Sequence, residues 1–284
     1  QLITTIGIFA AASVRLMPSA SRVMTSMNYL IYSTPVIDLL SDEIKKQPPL
    51  HEYLQNRSLK CSPDTLLAIE SGSYSYKGSG GWKLDVPTLF IGKREKIAIF
   101  GDSGSGKTTL LDLLSGFKIF TDGVMQINID QPPKTVLDWW SSASYCSQSV
   151  FIFDRDLDYN ITMSDDYIDH DRLDKVKHLA GLDDLACTLE AREEKSLGEV
   201  GGALSGGQRQ RVGIARALYK RSTVVSFFDE VTSNLDEILA HQLVPNILEW
   251  NSDKSVIFIS HDKSLAKYFD VIYTVKAGLI TREK

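Results

Sequence analysis

Only three cysteines occur in the 284 residues, Cys61, Cys146 and Cys187, far apart and with no Cys-x-x-Cys pair. That excludes a disulfide framework and suggests reduced thiols in a cytosolic compartment. Positive charge is also short: 31 Lys and Arg stand against 36 Asp and Glu, a net charge of −5 with a pI of about 5.6. A broad nucleic-acid-binding face needs the opposite balance, so no nucleic-acid partner is expected. Five histidines show no metal-ligand spacing. Low-complexity tracts are missing as well, and a 43% hydrophobic, 24% charged chain of this length can bury a full core. One large domain, or a domain with an appendage, is expected.

The opening stretch Leu2–Val14 is 13 residues without a charge, ended by Arg15. It is too short by itself for a bilayer, which takes roughly 20 apolar residues. It is no signal peptide either, lacking a basic start and beginning at Gln1. Two readings stand: the cut end of a transmembrane helix from a longer protein, or a buried helix of this domain. A helical pattern continues from Arg22 to about Ile44, with Pro35 expected to kink or break it. The segment "KKQPPLHEYLQNRSLKCSPDT" reads as a linker.

From Leu66 the texture changes. "LLAIESGSYSY" and "GWKLDVPTLFI" resemble strands around a Gly-Ser-Gly-Gly turn. Short apolar strands then alternate with helices: "KIAIF", "GVMQINI", "ASYCSQ", "STVVSFF", "SVIFIS". That alternation predicts an α/β fold with a mostly parallel sheet. Helical patterns alone fill about 150–219, an inserted lobe.

"KIAIFGDSGSGKTTL" meets G-x-x-x-x-G-K-[ST] between an apolar strand and an apolar helix. Gly101, Gly104 and Gly106 let the backbone of Asp102, Ser103 and Ser105 wrap a phosphate at a helix N-terminus. Lys107 carries a point charge to the β/γ oxygens, and the Thr108 hydroxyl, followed by Thr109, can ligate Mg²⁺. The apolar strand "TVVSFFDE" ends in Asp229, a second Mg²⁺ ligand, directly or through water, and Glu230, placed to polarise an attacking water. A nucleoside triphosphate is the expected ligand.

A second glycine step, "LSGGQRQR", opens a helix 98 residues after Lys107. Leu204 to Gln208 resembles the signature motif of ATP-binding-cassette (ABC) ATPases, and other landmarks follow the order of that family. Tyr76 resembles the aromatic that stacks on adenine. Gln148 resembles the Q-loop glutamine, "SNLD" the D-loop ending in Asp236, and His261 the switch histidine. The resemblance covers about 67–284. It implies a RecA-like P-loop core with an antiparallel β edge and an inserted helical subdomain. It also implies ATP and Mg²⁺ as cofactors, with Gln148 among the Mg²⁺ ligands. Glu230, His261, Gln148 and Lys107 take the catalytic roles.

Two cassettes are then expected to pair head to tail as a homodimer. The Ser205, Gly206, Gly207, Gln208 and Asp236 of one chain would face the nucleotide of the other.

Glu199 and "FIFDRDLDYNI" resemble the exporter form, which carries its membrane domain upstream. On that basis 1–45 is expected to end a transmembrane domain, 46–66 to be a linker and 67–284 the cassette, at the cytoplasmic face of a bacterial inner membrane. "VRLMPSASRVMTSMNYLIY" resembles the last membrane helix of lipid-linked oligosaccharide flippases. Asn234, where alanine is commoner, and "SHDKSLAKYFD" depart from the family without removing a catalytic group. The rival is a soluble ABC-class ATPase acting on nucleic acid or the ribosome. An exporter of peptides, lipids or drugs is a third reading, and a GTPase lacks the N-K-x-D motif it would need.

Overall fold

The computed structural model describes residues 2–46, 62–76, 82–129, 133, 136–191, 196–198 and 204–284. Most of the expected linker, the Gly-Ser-Gly-Gly turn and Glu199 lie outside these residues. The chain divides into two units, 1–49 and 50–284.

The first unit is one helix, α1 (Leu2–Lys46), which runs through both Pro18 and Pro35 without a break. Of the kink or break expected at Pro35, the break does not occur. A proline removes one backbone donor and strains one turn, which a helix of 45 residues survives because its other turns stay bonded. The continuity also lengthens the apolar segment. Leu2–Asp42 is long and apolar enough to cross a membrane by length and composition, with a mean hydropathy of 1.4 over 18 residues. Ser13, Thr25 and Thr34 donate their hydroxyls to the carbonyls of Phe9, Ser21 and Leu30, so these polar groups are satisfied within the helix. Ile3, Phe9, Met17, Tyr29 and Leu30 are exposed, and no described side chain of α1 is buried.

In the second unit, strands β1 (Thr65–Tyr74), β2 (Leu84–Val86), β3 (Leu89–Gly92), β4 (Lys96–Phe100), β5 (Asp122–Ile127), β6 (Ala143–Cys146), β7 (Val225–Asp229), β8 (Ser255–Ser260), β9 (Val271–Lys276) and β10 (Leu279–Arg282) form one sheet. Its order is β3-β1-β2-β10-β9-β4-β8-β7-β6, with β5 on β1. The run β9-β4-β8-β7-β6 is parallel, while β1 pairs antiparallel with β2, β3 and β5. β1 begins at Thr65, two residues before the expected cassette start.

The parallel strands are apolar on both faces, as strands covered on both sides must be. Their side chains alternate between two cores. Ile97, Ile99, Phe227, Ile257 and Ile259 face helix α2 (Lys107–Leu114) through Leu110, Leu111 and Leu114. Ala98, Phe100, Phe228, Val256 and Phe258 face the other way, onto α7 (Gly206–Tyr219) and α8 (Glu237–Trp250). Phe228 and Phe258 sit opposite each other in register, ring centroids 5.8 Å apart.

Between β6 and β7 the chain is helical. After α3 (Val136–Ser141), which precedes β6, come α4 (Leu157–Thr162), α5 (His170–Leu179) and α6 (Asp183–Ala191), then α7. Asp156 and Asp169 cap α4 and α5 through the amides of Tyr159 and Arg172. Leu173, Val176 and Ala180 recur at helical spacing and are fully buried. Arg172 reaches from α5 to the last carbonyls of α7, bonding Leu218 at 2.7 Å and Tyr219 at 2.8 Å, and stacks over Trp250. The lobe is thus tied to the C-terminal ends of both core helices.

Candidate functional site

The loop after β4 is shaped by glycines whose φ only glycine holds cheaply: Gly104 at 75° and Gly106 at 111°. At Gly106 a Cβ would also come within 3.1 Å of Leu84 and Trp82. α2 starts there with no side-chain cap, so its first amides are left for an anion. A cavity of about 270 Å³ opens at this helix end, lined by Ser103, Gly104, Gly106, Lys107, Thr108 and Thr109 on one side and Tyr76, Trp82, Gln148 and Glu230 on the other. Ser105 is buried beneath it with its hydroxyl unpartnered. Gly101 and Asp102 begin the loop, and the Asp102 carbonyl accepts from Lys107 Nζ at 3.0 Å.

Charge is concentrated at the cavity floor. Lys107, 4% exposed, lies 3.1 Å from Glu230 Oε1, and Gln148 Nε2 donates to Glu230 Oε2 at 2.8 Å. Thr108 Oγ1 donates to Asp229 Oδ1 at 3.3 Å. Burial pushes the Asp229 carboxyl up to about 6, opposed by the Thr108 hydroxyl and reinforced by the adjoining Glu230 charge. A desolvated carboxylate facing a hydroxyl, with an amide oxygen nearby, is an all-oxygen donor set of the kind Mg²⁺ takes with phosphate oxygens. Among the described residues no three His, Cys, Asp or Glu cluster as a self-sufficient metal cage. Gln148, expected on the metal, here holds Glu230.

Gln148 is positioned by a close approach. A Cβ on Gly213 of α7 would meet Val150 at 2.4 Å and Cys146 Sγ at 3.1 Å, so only glycine lets α7 lie against β6 and the loop it feeds. The Cys146 thiol is buried there and pushed up to about 12, which makes it a packing group.

Tyr76 stands at the cavity mouth. Its hydroxyl is 3.0 Å from Thr109 Oγ1, and its ring is 5.7 Å from that of Trp82, tilted by 37°. Trp82 is a residue that sequence reading missed. The one signal available was an aromatic placed just after a glycine-rich turn.

The remaining expected residues lie elsewhere. Ser205 caps α7: its Oγ accepts from Gln208 N–H at 3.2 Å, and Gln208 Oε1 accepts from Ser205 N–H at 2.8 Å. This capping box leaves the exposed Ser205 hydroxyl proton uncommitted. Gly207 sits where a Cβ would come within 2.9 Å of the Asn234 carbonyl, while Gly206 meets the same residue at ordinary contact distance. Asp236 caps α8 by accepting from Leu239 N–H at 2.9 Å, a local duty beside the cross-chain one expected of it. His261 is exposed just past β8, beside Asp262, whose carboxyl is held low by its bond to Ser264. None of Ser205, Gly206, Gly207, Gln208, Asp236 and His261 lines the cavity. A second residue missed from the sequence is the buried Gln210, whose side chain joins α7 to the loop after Glu230.

Comparison with known proteins identifies the family. The family model described as "ABC transporter" matches residues 84–233. The toxin RTX-III translocation ATP-binding protein of Actinobacillus pleuropneumoniae is 33% identical over 220 residues, 76% of this chain and 30% of that protein. A probable ABC transporter ATP-binding/permease protein of Haemophilus influenzae is 30% identical over 244 residues, 86% of this chain and 43% of that one. A bacterial Atm1-family ABC exporter, solved with ATP bound, superposes with a TM-score of 0.68 at 25% identity, covering 80% of this chain and 40% of its own. The chain therefore spans less than half the length of these relatives. With the P-loop cavity, the carboxylate pair at the end of β7 and the detached signature helix α7 around one sheet, the chain belongs to the ABC transporter family.

Proposed function

We propose that this cassette hydrolyses ATP as one half of a head-to-tail dimer and that the cycle of closure and release powers export across a membrane. The observation that carries the reading is the separation within one chain. Lys107, Thr108, Gln148 and Glu230 share a cavity, while the Ser205–Gly207 step, the other anion-ready helix end, faces outside it. A second copy turned head to tail brings its Ser205 hydroxyl and α7 amides to the terminal phosphate. ADP lacks that phosphate and loses the contact, so hydrolysis becomes a mechanical switch.

Within the cavity Lys107 binds the β/γ oxygens, Tyr76 and Trp82 hold the base end, and Glu230 takes the proton of the attacking water. Thr108, Asp229 and the amide oxygen of Gln148 would hold Mg²⁺, which when bound neutralises charge on the phosphates. The Lys107–Glu230 pair is a resting contact, since incoming phosphates compete for the lysine. His261 closes on the phosphate from the end of β8 once the dimer forms.

α1, with its exposed apolar side chains and its Arg15 and Arg22, is read as the end of a membrane domain whose basic flank lies on the cytoplasmic side. The export direction draws on the relatives' printed names; one is a toxin translocation protein and another an exporter. Neither is described as moving a lipid-linked oligosaccharide, and that cargo gains no support.

Mixing tests the shared site. Chains carrying Lys107→Ala and chains carrying Ser205→Arg, each inactive as homodimers, should recover part of the ATPase activity together, because one intact composite site re-forms. Demonstrated heterodimers with no activity above either parent would rule the arrangement out.

A further inference from the structure

Gln210 lies two positions beyond the Ser205–Gln208 cap on α7, only 1% exposed, and its amide is spent on the loop that follows β7. Nε2 donates to Ser233 Oγ at 2.9 Å and, over a longer 3.4 Å, to the Glu230 carbonyl. Oε1 accepts from Asn234 N–H at 3.0 Å. One turn earlier, Gly207 presses the helix backbone against the Asn234 carbonyl. Residues 230–234 are therefore gripped along the first turns of α7.

The gripped loop holds a strained residue. Glu230 has φ 47°, left-handed for a side chain that avoids it. Such a conformation persists only where its surroundings over-determine it. Here they do: Glu230 N–H donates to Ile259 at 3.1 Å, and the Glu230 carbonyl accepts from Ser233 N–H at 3.0 Å as well as from Gln210.

We infer that Gln210 is a positioning residue. By clamping 230–234 to α7 it couples the helix end that meets the partner's nucleotide to the carboxylate of its own chain's site. The inference rests on the shared-site reading above. α7 is a rigid helix, so displacement of Ser205 by a bound phosphate is carried to Gln210 with nothing soft between them, and the loop moves with it. Two ATP sites in a dimer are thereby linked in both directions, as coupling requires. The position needs a side chain that donates and accepts at once. Leucine has the size and neither function; glutamate keeps the acceptor and loses the donors.

The test is a full-chain heterodimer in which one chain carries Glu230→Gln, leaving a single working carboxylate. Gln210→Leu is then placed either in the chain with the working Glu230 or in the other, and MgATP turnover is measured. With the working carboxylate in the same chain, kcat should fall about tenfold or more while KM stays within about threefold. In the other chain the loss should be several-fold smaller. Equal losses, losses confined to the other chain, or a change in KM alone overturn the coupling. If Gln210→Leu lowers the melting point enough to unfold the chain, Gln210→Glu takes its place and should show the same asymmetry with a smaller loss. A heterodimer without any Gln210 change that fails to hydrolyse ATP overturns the shared-site reading, and the coupling with it. An active one with symmetric losses overturns the coupling alone.

Discussion

Helices α2 and α7 both begin at a glycine step, and they are finished in opposite ways. α2 has no side-chain cap, a left-handed Gly106, and a buried Lys107 in its first turn. α7 has a complete capping box from Ser205 and Gln208, no acidic group in its first turn, and Arg209 as the basic residue there, not a buried lysine. An uncapped end beside a lysine binds an anion by itself, because amides, dipole and full charge converge on one point. A capped end has already satisfied part of its amides, so its remaining pull on an anion is weaker and depends on another surface delivering that anion. In the dimer proposed above, the first would hold the nucleotide and the second would read what the partner has bound.

The largest break of that comparison comes from the chemistry at α2. Glu230→Gln should lower ATP turnover by about 10²–10⁴-fold and leave ATP affinity within about threefold, since the amide keeps the shape and loses the base. Parallel loss of binding, measured by titration with ATP, would contradict the assignment. Lys107→Ala should act on the other quantity, raising the Kd for ATP about 10–100-fold. It also leaves Glu230 without its nearest cation.

An intermediate effect sits at Asp229. Its folded-state value of about 6 lies above the usual 3.8. This carboxyl thus adds stability below pH 3.8, and the contribution is lost as pH rises through about 6, a swing of roughly 3 kcal/mol. Without nucleotide and Mg²⁺, Asp229→Asn should flatten that part of the stability curve between pH 4 and 7, read by denaturant melts. With them, Mg²⁺-dependent ATP binding should weaken below pH 6 in the natural sequence, because the ligand must be ionised. A melt profile identical in both variants would refute the shift.

The smallest effect tests the cap at α7. Ser205→Ala removes the acceptor for Gln208 N–H and should cost about 1 kcal/mol of stability. ATP binding by the isolated chain should not change, since Ser205 is absent from the cavity it occupies. A weakened Kd in the monomer would erase the distinction between the two helix ends.

Local chemistry made much of this legible beforehand. The P-loop glycines, Lys107 and Thr108 announce themselves because a phosphate nest needs fixed residue types at fixed spacing, and the parallel strands do because both their faces are apolar. At Pro35 the sequence allowed a kink or a break, and the break does not occur, since a proline's local penalty says nothing of the turns that continue on either side. Trp82 and Gln210 were missed for a different reason. Trp82 meets Tyr76 only because β1 and β2 pair, with Tyr74 opposite Leu84. Gln210 earns its role from a loop 20 to 24 residues away.

The sequence by itself determined that this chain folds as a P-loop α/β cassette and which residues form the glycine loop proposed to cradle a phosphate, because those properties follow from short-range spacing and hydrophobic period. Tertiary structure alone decided that Gln148 and Lys107 converge on Glu230, that burial raises Asp229, and that α7 grips the loop that begins at Glu230 where β7 ends. These are contacts between distant segments, and desolvation and geometry exist only once the sheet has brought them together.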